Sequence, residues 1–102
     1  MSRRITVGTW RARGITFTVQ VWKEGRTYVA YAPELDVSSC GDSLRKAKAH
    51  LREAVELFLE QAARMGTLED ILAEAGFERD GATLKPRRIL ARERVRLAVP
   101  AA

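Results

Sequence analysis

Between Ser43 and Gly66 the sequence places Leu44, Ala47, Leu51, Ala54, Val55, Phe58, Leu59 and Ala62 at helical spacing. Apolar residues recurring every three or four positions over that length mark an amphipathic helix. Ser43 suits the N-cap, where a hydroxyl accepts from a first-turn N–H. Gly66 suits the left-handed residue that closes a helix. The spacing therefore predicts a helix from Leu44 to about Met65, roughly 33 Å long. One of its faces is apolar and must be covered. In a chain of 102 residues, close to the commonest domain size, the cover has to come from the segments on either side.

Those segments read as strands. Ile15–Trp22 alternates, with Ile15, Phe17, Val19 and Val21 on one side and Thr16, Thr18, Gln20 and Trp22 on the other. Lys23-Glu24-Gly25-Arg26 is a hairpin loop, and Thr27–Ala32 is the partner strand. Pro33 cannot donate to a ladder and closes it, and Val37–Cys40 is a short third strand. A weaker alternation over Ile5–Trp10 offers an extra strand, followed by a turn at Arg11–Gly14.

After Gly66, Thr67 is expected to cap a shorter helix, Leu68–Ala75, with Asp70 in the third position of a capping-box variant. Gly76 ends it and Phe77 folds back onto the core. Asp80-Gly81 is a turn, Pro86 interrupts any ladder, and Ile89–Val99 is expected as a last strand, with Val95, Leu97 and Val99 alternating against Arg94, Arg96 and Ala98. The expected fold is α+β. A small antiparallel sheet in the order β-β-β-α-α-β carries the long helix on one face. Residues 1–102 form a single domain, with a core over 15–77 and a basic segment over 78–102.

Charge narrows the function classes. The net charge is +5, with 14 Arg against 4 Lys. Residues 1–26 and 81–102 each carry +5, while residues 27–42 carry −3 and 67–80 carry −4. Basic ends around a mixed middle direct attention to anionic partners. Cys40 is the single cysteine, which excludes an intramolecular disulfide and fits a reducing compartment. No run of 18 apolar residues exists for a transmembrane helix, and the N-terminal segment has no continuous apolar stretch for a signal peptide. A cytoplasmic location is expected.

Tyr28-Val29-Ala30-Tyr31, Pro33-Glu34-Leu35, Gly41-Asp42-Ser43 and the helix residues Leu51, Glu53 and Ala54 follow in an order and spacing that resembles the HicB-like antitoxin family. The resemblance spans roughly residues 15–62. It implies a partial RNase H-like sheet in a bacterial or archaeal protein. It also implies a partner, a small HicA-like mRNA-cleaving toxin that the domain neutralises by occlusion. No catalytic residue, metal or cofactor follows from it. Many members add a C-terminal ribbon-helix-helix or helix-turn-helix unit. The roughly 25 residues after Phe77 fit no pair of helices, so a stand-alone member without that unit is expected.

The candidate contacts for the toxin are Trp22, Glu34, Asp36 and Asp42. Trp22 lies on the polar side of its strand, where an exposed indole is an interface anchor unless Trp10 packs on it. The three acids surround one bend and would suit a basic partner. An RNase H-like sheet also invites a metal-nuclease reading of these acids, but no further inward acid comes from the other strands, and that reading ranks last.

Two basic groups are candidates for anions or nucleic acid. Arg45, Lys46 and Lys48 crowd the helix start, where cations oppose the helix dipole. Arg87, Arg88, Arg92, Arg94 and Arg96 fill the C-terminal segment, and the alternative function is nucleic-acid binding through it. The strand at 94–99 can equally pair with a second copy, and a homodimer is expected. His50 and Cys40 lack the companions a metal site or a triad needs; a partly exposed histidine and a buried or half-buried thiol are expected.

Overall fold

The computed structural model describes residues 13–101 of the chain. Strands β2 (Gln20–Glu24) and β3 (Thr27–Ala32) form a hairpin in which Gln20 faces Tyr31 and Glu24 faces Thr27, with Gly25 and Arg26 alone in the turn. The ladder runs two residues further, through Lys23 and Glu24, than the Lys23–Arg26 loop expected. Strand β4 (Val37–Gly41) pairs antiparallel on the other side of β3, Tyr28 opposite Gly41 and Ala32 opposite Val37. The order β2-β3-β4 is thus a three-stranded antiparallel meander.

Helix α1 (Leu44–Met65) lies across the inner side of β3 and β4. Ser43 adopts an extended backbone and its Oγ accepts from the Lys46 N–H at 3.1 Å, as the N-cap expectation requires. Ser43→Ala removes that acceptor. The expected loss is about 1 kcal/mol of unfolding free energy, read as a lower urea midpoint, whereas Ser43→Asp should retain most of it. At the other end Gly66 takes φ 73°, donates to the Ala63 carbonyl at 3.2 Å, and lets Thr67 donate to the Ala62 carbonyl at 2.9 Å. This pair of bonds satisfies two carbonyls that the helix end would otherwise leave open.

Ala47, Leu51, Val55 and Ala62 are the buried positions of α1. They join Ala30, Ala32 and Leu35 from the meander, and Leu72, Phe77 and Leu84 from the following segment, in the core. A Cβ on Gly41 would stand 2.7 Å from the Ala47 nitrogen and 2.9 Å from the Lys46 Cβ, so only glycine permits this approach of helix and strand. That contact fixes which turn rests on the sheet. Leu44, one turn earlier and expected in the apolar stripe, is 47% exposed.

Helix α2 (Leu68–Glu74) follows at once, ending one residue before the expected Ala75. Thr67 does not cap it with its side chain. Its backbone is held in helical geometry by the closing turn of α1, and its hydroxyl donates back to the Ala62 carbonyl at 3.4 Å. Gly76 then reverses the chain and Phe77 is buried, as the sequence indicates.

Two strand expectations are corrected. Ile15–Trp22 is not continuous: β1 (Gly14–Ile15) belongs to a second sheet, and residues 16–19 link the two. The Arg13 and Thr16 N–H groups donate to Ala82 and Leu84, at 2.7 and 2.8 Å, while the Thr18 N–H donates to the Glu34 carboxylate at 2.9 Å instead of to a ladder. Val19 falls in this link and is exposed, so the alternation does not reach it. The second sheet is completed by β5 (Glu78–Asp80) and β6 (Thr83–Lys85), an antiparallel hairpin turning at Gly81-Ala82, in the order β1-β6-β5 with β1 and β6 parallel. Leu84 is its buried residue.

The last strand expected over Ile89–Val99 does not form, and residues 86–101 carry no regular structure. An alternating sequence becomes a strand only where a ladder partner is available. Pro86 ends β6, whose two sides are already taken by β1 and β5. The extra strand at Ile5–Trp10, and any packing of Trp10 on Trp22, lie outside the described residues. No helix among the described residues is long and apolar enough to cross a membrane.

Candidate functional site

Strand alternation gives the meander two different faces. Val21, Tyr28, Ala30, Ala32 and Val37 belong to or pack against the core. Their neighbours Gln20, Trp22, Val29, Tyr31, Ser38 and Cys40 therefore stand on the opposite face, which α1 does not cover. Trp22 faces Val29 in the ladder and lies diagonal to Tyr31. The two rings meet edge to face, with centroids 6.0 Å apart at 66°. Such a pair holds both side chains in one orientation. Trp22 keeps 41% of its surface exposed, so the indole is oriented but not covered.

Hydrogen bonds extend this arrangement. The Trp22 Nε1–H donates to Glu24 Oε1 at 2.9 Å, and the Tyr31 hydroxyl donates to Asp36 Oδ1 at 2.9 Å. The bond to Asp36 holds the Tyr31 phenol above its ordinary pKa, with desolvation and the charge of Asp36 adding to it. Asp36 itself takes φ 54°, a left-handed conformation that Asp tolerates better than most residues, and this aims its carboxylate back at β3. Trp22, Tyr31 and Asp36 thus form one array across the open face of the sheet.

The other acids are placed differently. Glu34 turns toward the link between the sheets, where its two oxygens accept from the Thr18 N–H at 2.9 Å and the Thr18 hydroxyl at 2.5 Å. It fixes the bend where the first strand is broken. Asp42 pairs with Lys46 Nζ at 3.1 Å, with both side chains largely in solvent. The three acids expected around one bend are therefore divided among three different partners, Thr18, Tyr31 and Lys46. Among the described residues no group of three or more His, Cys, Asp or Glu side chains is arranged to hold a metal. Tyr31 is the member of this array that the sequence reading missed. The hairpin register, which puts it diagonal to Trp22, was the signal for it.

Lys46 is occupied by Asp42, while Lys48 lines a shallow cleft with Arg52, Ile15, Thr16, Phe17 and Val19, and Arg52 pairs with Glu56 at 3.5 Å. Arg45, Lys46 and Lys48 share no common partner among the described residues. The Arg87 guanidinium packs over Gly76, and Arg87 and Arg92 line a cleft of about 360 Å³ together with Thr18, Pro33 and Glu34. Beyond it Arg94 and Arg96 are exposed.

His50 is exposed, and its Nδ1 lies 2.7 Å from the Cys40 carbonyl oxygen. A carbonyl only accepts, so Nδ1 carries the proton. The Cys40 thiol is exposed, contrary to the expectation of burial. Residue 40 pairs with Val29 and so shares its outward face. In comparisons with protein-family models, curated proteins and solved structures, nothing matches the chain.

Proposed function

We propose that the chain is a protein-binding module of the HicB-like antitoxin type, acting in the cytoplasm to cover a small, basic, HicA-like mRNA-cleaving toxin. The observation that carries this reading is the Trp22–Tyr31–Asp36 array. An oriented, half-open indole beside a locked phenol is the kind of surface on which binding energy concentrates, because little side-chain freedom remains to be lost. The carboxylate at its border suits a basic partner. Occlusion is a binding function, and it assigns no catalytic residue and no cofactor.

Affinity capture of the tagged protein from its own host, with mass spectrometry and RNA sequencing of the bound material, tests the reading. A small basic protein should be captured in stoichiometric amount. Trp22→Ala is expected to weaken its binding by about 2 kcal/mol or more, and Asp36→Asn to slow association in a salt-dependent way. Unchanged binding by Trp22→Ala would remove the array from the interface.

A second reading has its own observation. Among the described residues none of Arg87, Arg88, Arg92, Arg94 and Arg96 forms an ion pair within 4.0 Å. These guanidinium groups are open to phosphates, and capture of nucleic acid alone, released by salt, would favour them.

A further inference from the structure

We infer that residues 94–99 form an interaction surface for a second copy of this chain, the two arms pairing antiparallel about Leu97. This inference stands apart from the antitoxin reading. Arg87 rests on Gly76 and Arg92 still lines the cleft beside Thr18, Pro33 and Glu34, so the arm lies along the body as far as Arg92. Beyond that, Val95, Leu97 and Val99 are 72%, 79% and 90% exposed. Three apolar side chains at strand spacing, alternating with Arg94 and Arg96, have no partner strand among the described residues. A strand-forming segment without a ladder is a template for another chain.

Charge and periodicity identify the occupant. In a two-fold pairing every residue faces its counterpart's complement, so the sequence must tolerate itself reversed. Registers that set odd positions against even ones put Arg96 beside Leu97 on one face and mix apolar with charged side chains. Pairing centred on Val95 sets Arg94 against Arg96, and pairing centred on Arg96 sets that residue against itself; both oppose like charges. Pairing centred on Leu97 sets Leu97 against Leu97, Val95 against Val99 and Arg96 against Ala98. No arginine then faces an arginine, and all six apolar side chains share one face. Centring on Ala98 also keeps the arginines apart but leaves Val95 outside the pair. The Leu97 register is therefore the longest one free of repulsion. A two-stranded ribbon by itself is marginal, so the dimer is expected to dissociate at concentrations on the order of micromolar.

Sedimentation of the full chain over a concentration series tests this. The species should shift between one and two copies of the 11.4 kDa chain. Leu97→Asp should raise the dissociation constant by at least about tenfold, and circular dichroism should show the body still folded, since Leu97 contacts little of it. Register is read by cross-linking in a Cys40→Ser background. Leu97→Cys places two thiols directly opposite, within disulfide reach, and should yield a covalent dimer under mild oxidation. Arg96→Cys leaves them more than about 7 Å apart and should not. A monomer at every concentration, a dimer indifferent to Leu97→Asp, or equal cross-linking at positions 96 and 97 would each overturn the inference.

Discussion

Leu51→Ala is expected to lower the free energy of unfolding by about 2–5 kcal/mol. Leu51 is fully buried at the centre of α1, in the cluster that joins the meander to α2, Phe77 and the β5–β6 hairpin. Truncation removes the transfer energy of the lost methyl groups and leaves a cavity that the surrounding elements cannot fully close. Chemical denaturation measures the effect: the midpoint should fall while the slope stays constant, because the surface exposed on unfolding hardly changes. Leu57, on the same helix but 61% exposed, supplies the comparison. Leu57→Ala should shift stability by no more than about 0.5 kcal/mol. Equal effects at the two positions would contradict the face assigned to the helix.

The second large effect is expected at Gly41. Its missing side chain is what lets the start of α1 approach β4, and the obstacle to a Cβ is the backbone nitrogen of Ala47 at 2.7 Å. A backbone atom in a capped helix cannot rotate aside as a side chain does, so Gly41→Ala must move the helix off the strand. A cost of about 1–3 kcal/mol is expected, as for other overpacking substitutions. Gly14→Ala provides a contrast, because a Cβ there meets only the Thr83 Cγ2 at 3.7 Å, an ordinary contact. Thermal melts of the two variants should separate clearly, with Gly41→Ala the lower. A Gly41→Ala melt matching the native one would mean that helix and strand stand further apart than described.

Both effects bear on the candidate site. The helix fixes the inner face of the meander, and with it the side to which Trp22 and Tyr31 are turned. Leu51→Ala is therefore a useful companion to Trp22→Ala: the first should reduce stability, and the second should reduce binding while leaving the unfolding midpoint nearly unchanged.

The sequence by itself determined the elements whose signals are local. Ser43 and Gly66 bound α1 as expected because an N-cap and a left-handed C-terminal residue act on groups within a few positions of themselves. The β2–β3 hairpin, the end of β3 before Pro33 and the reversal at Gly76 are local in the same sense. The outward placement of Trp22 followed from strand period alone. Only the tertiary structure decided the rest. Glu34 reaches back 16 residues to take the Thr18 N–H, which divides one alternating run between two sheets. Gly14–Ile15 finds its partner near Thr83, almost the whole described chain away. Val95, Leu97 and Val99 alternate as well as any strand here, yet find no ladder among the described residues. Periodicity states which face of a segment is apolar, but a ladder also needs a free edge at the right place, and that edge exists only once the rest of the chain has packed.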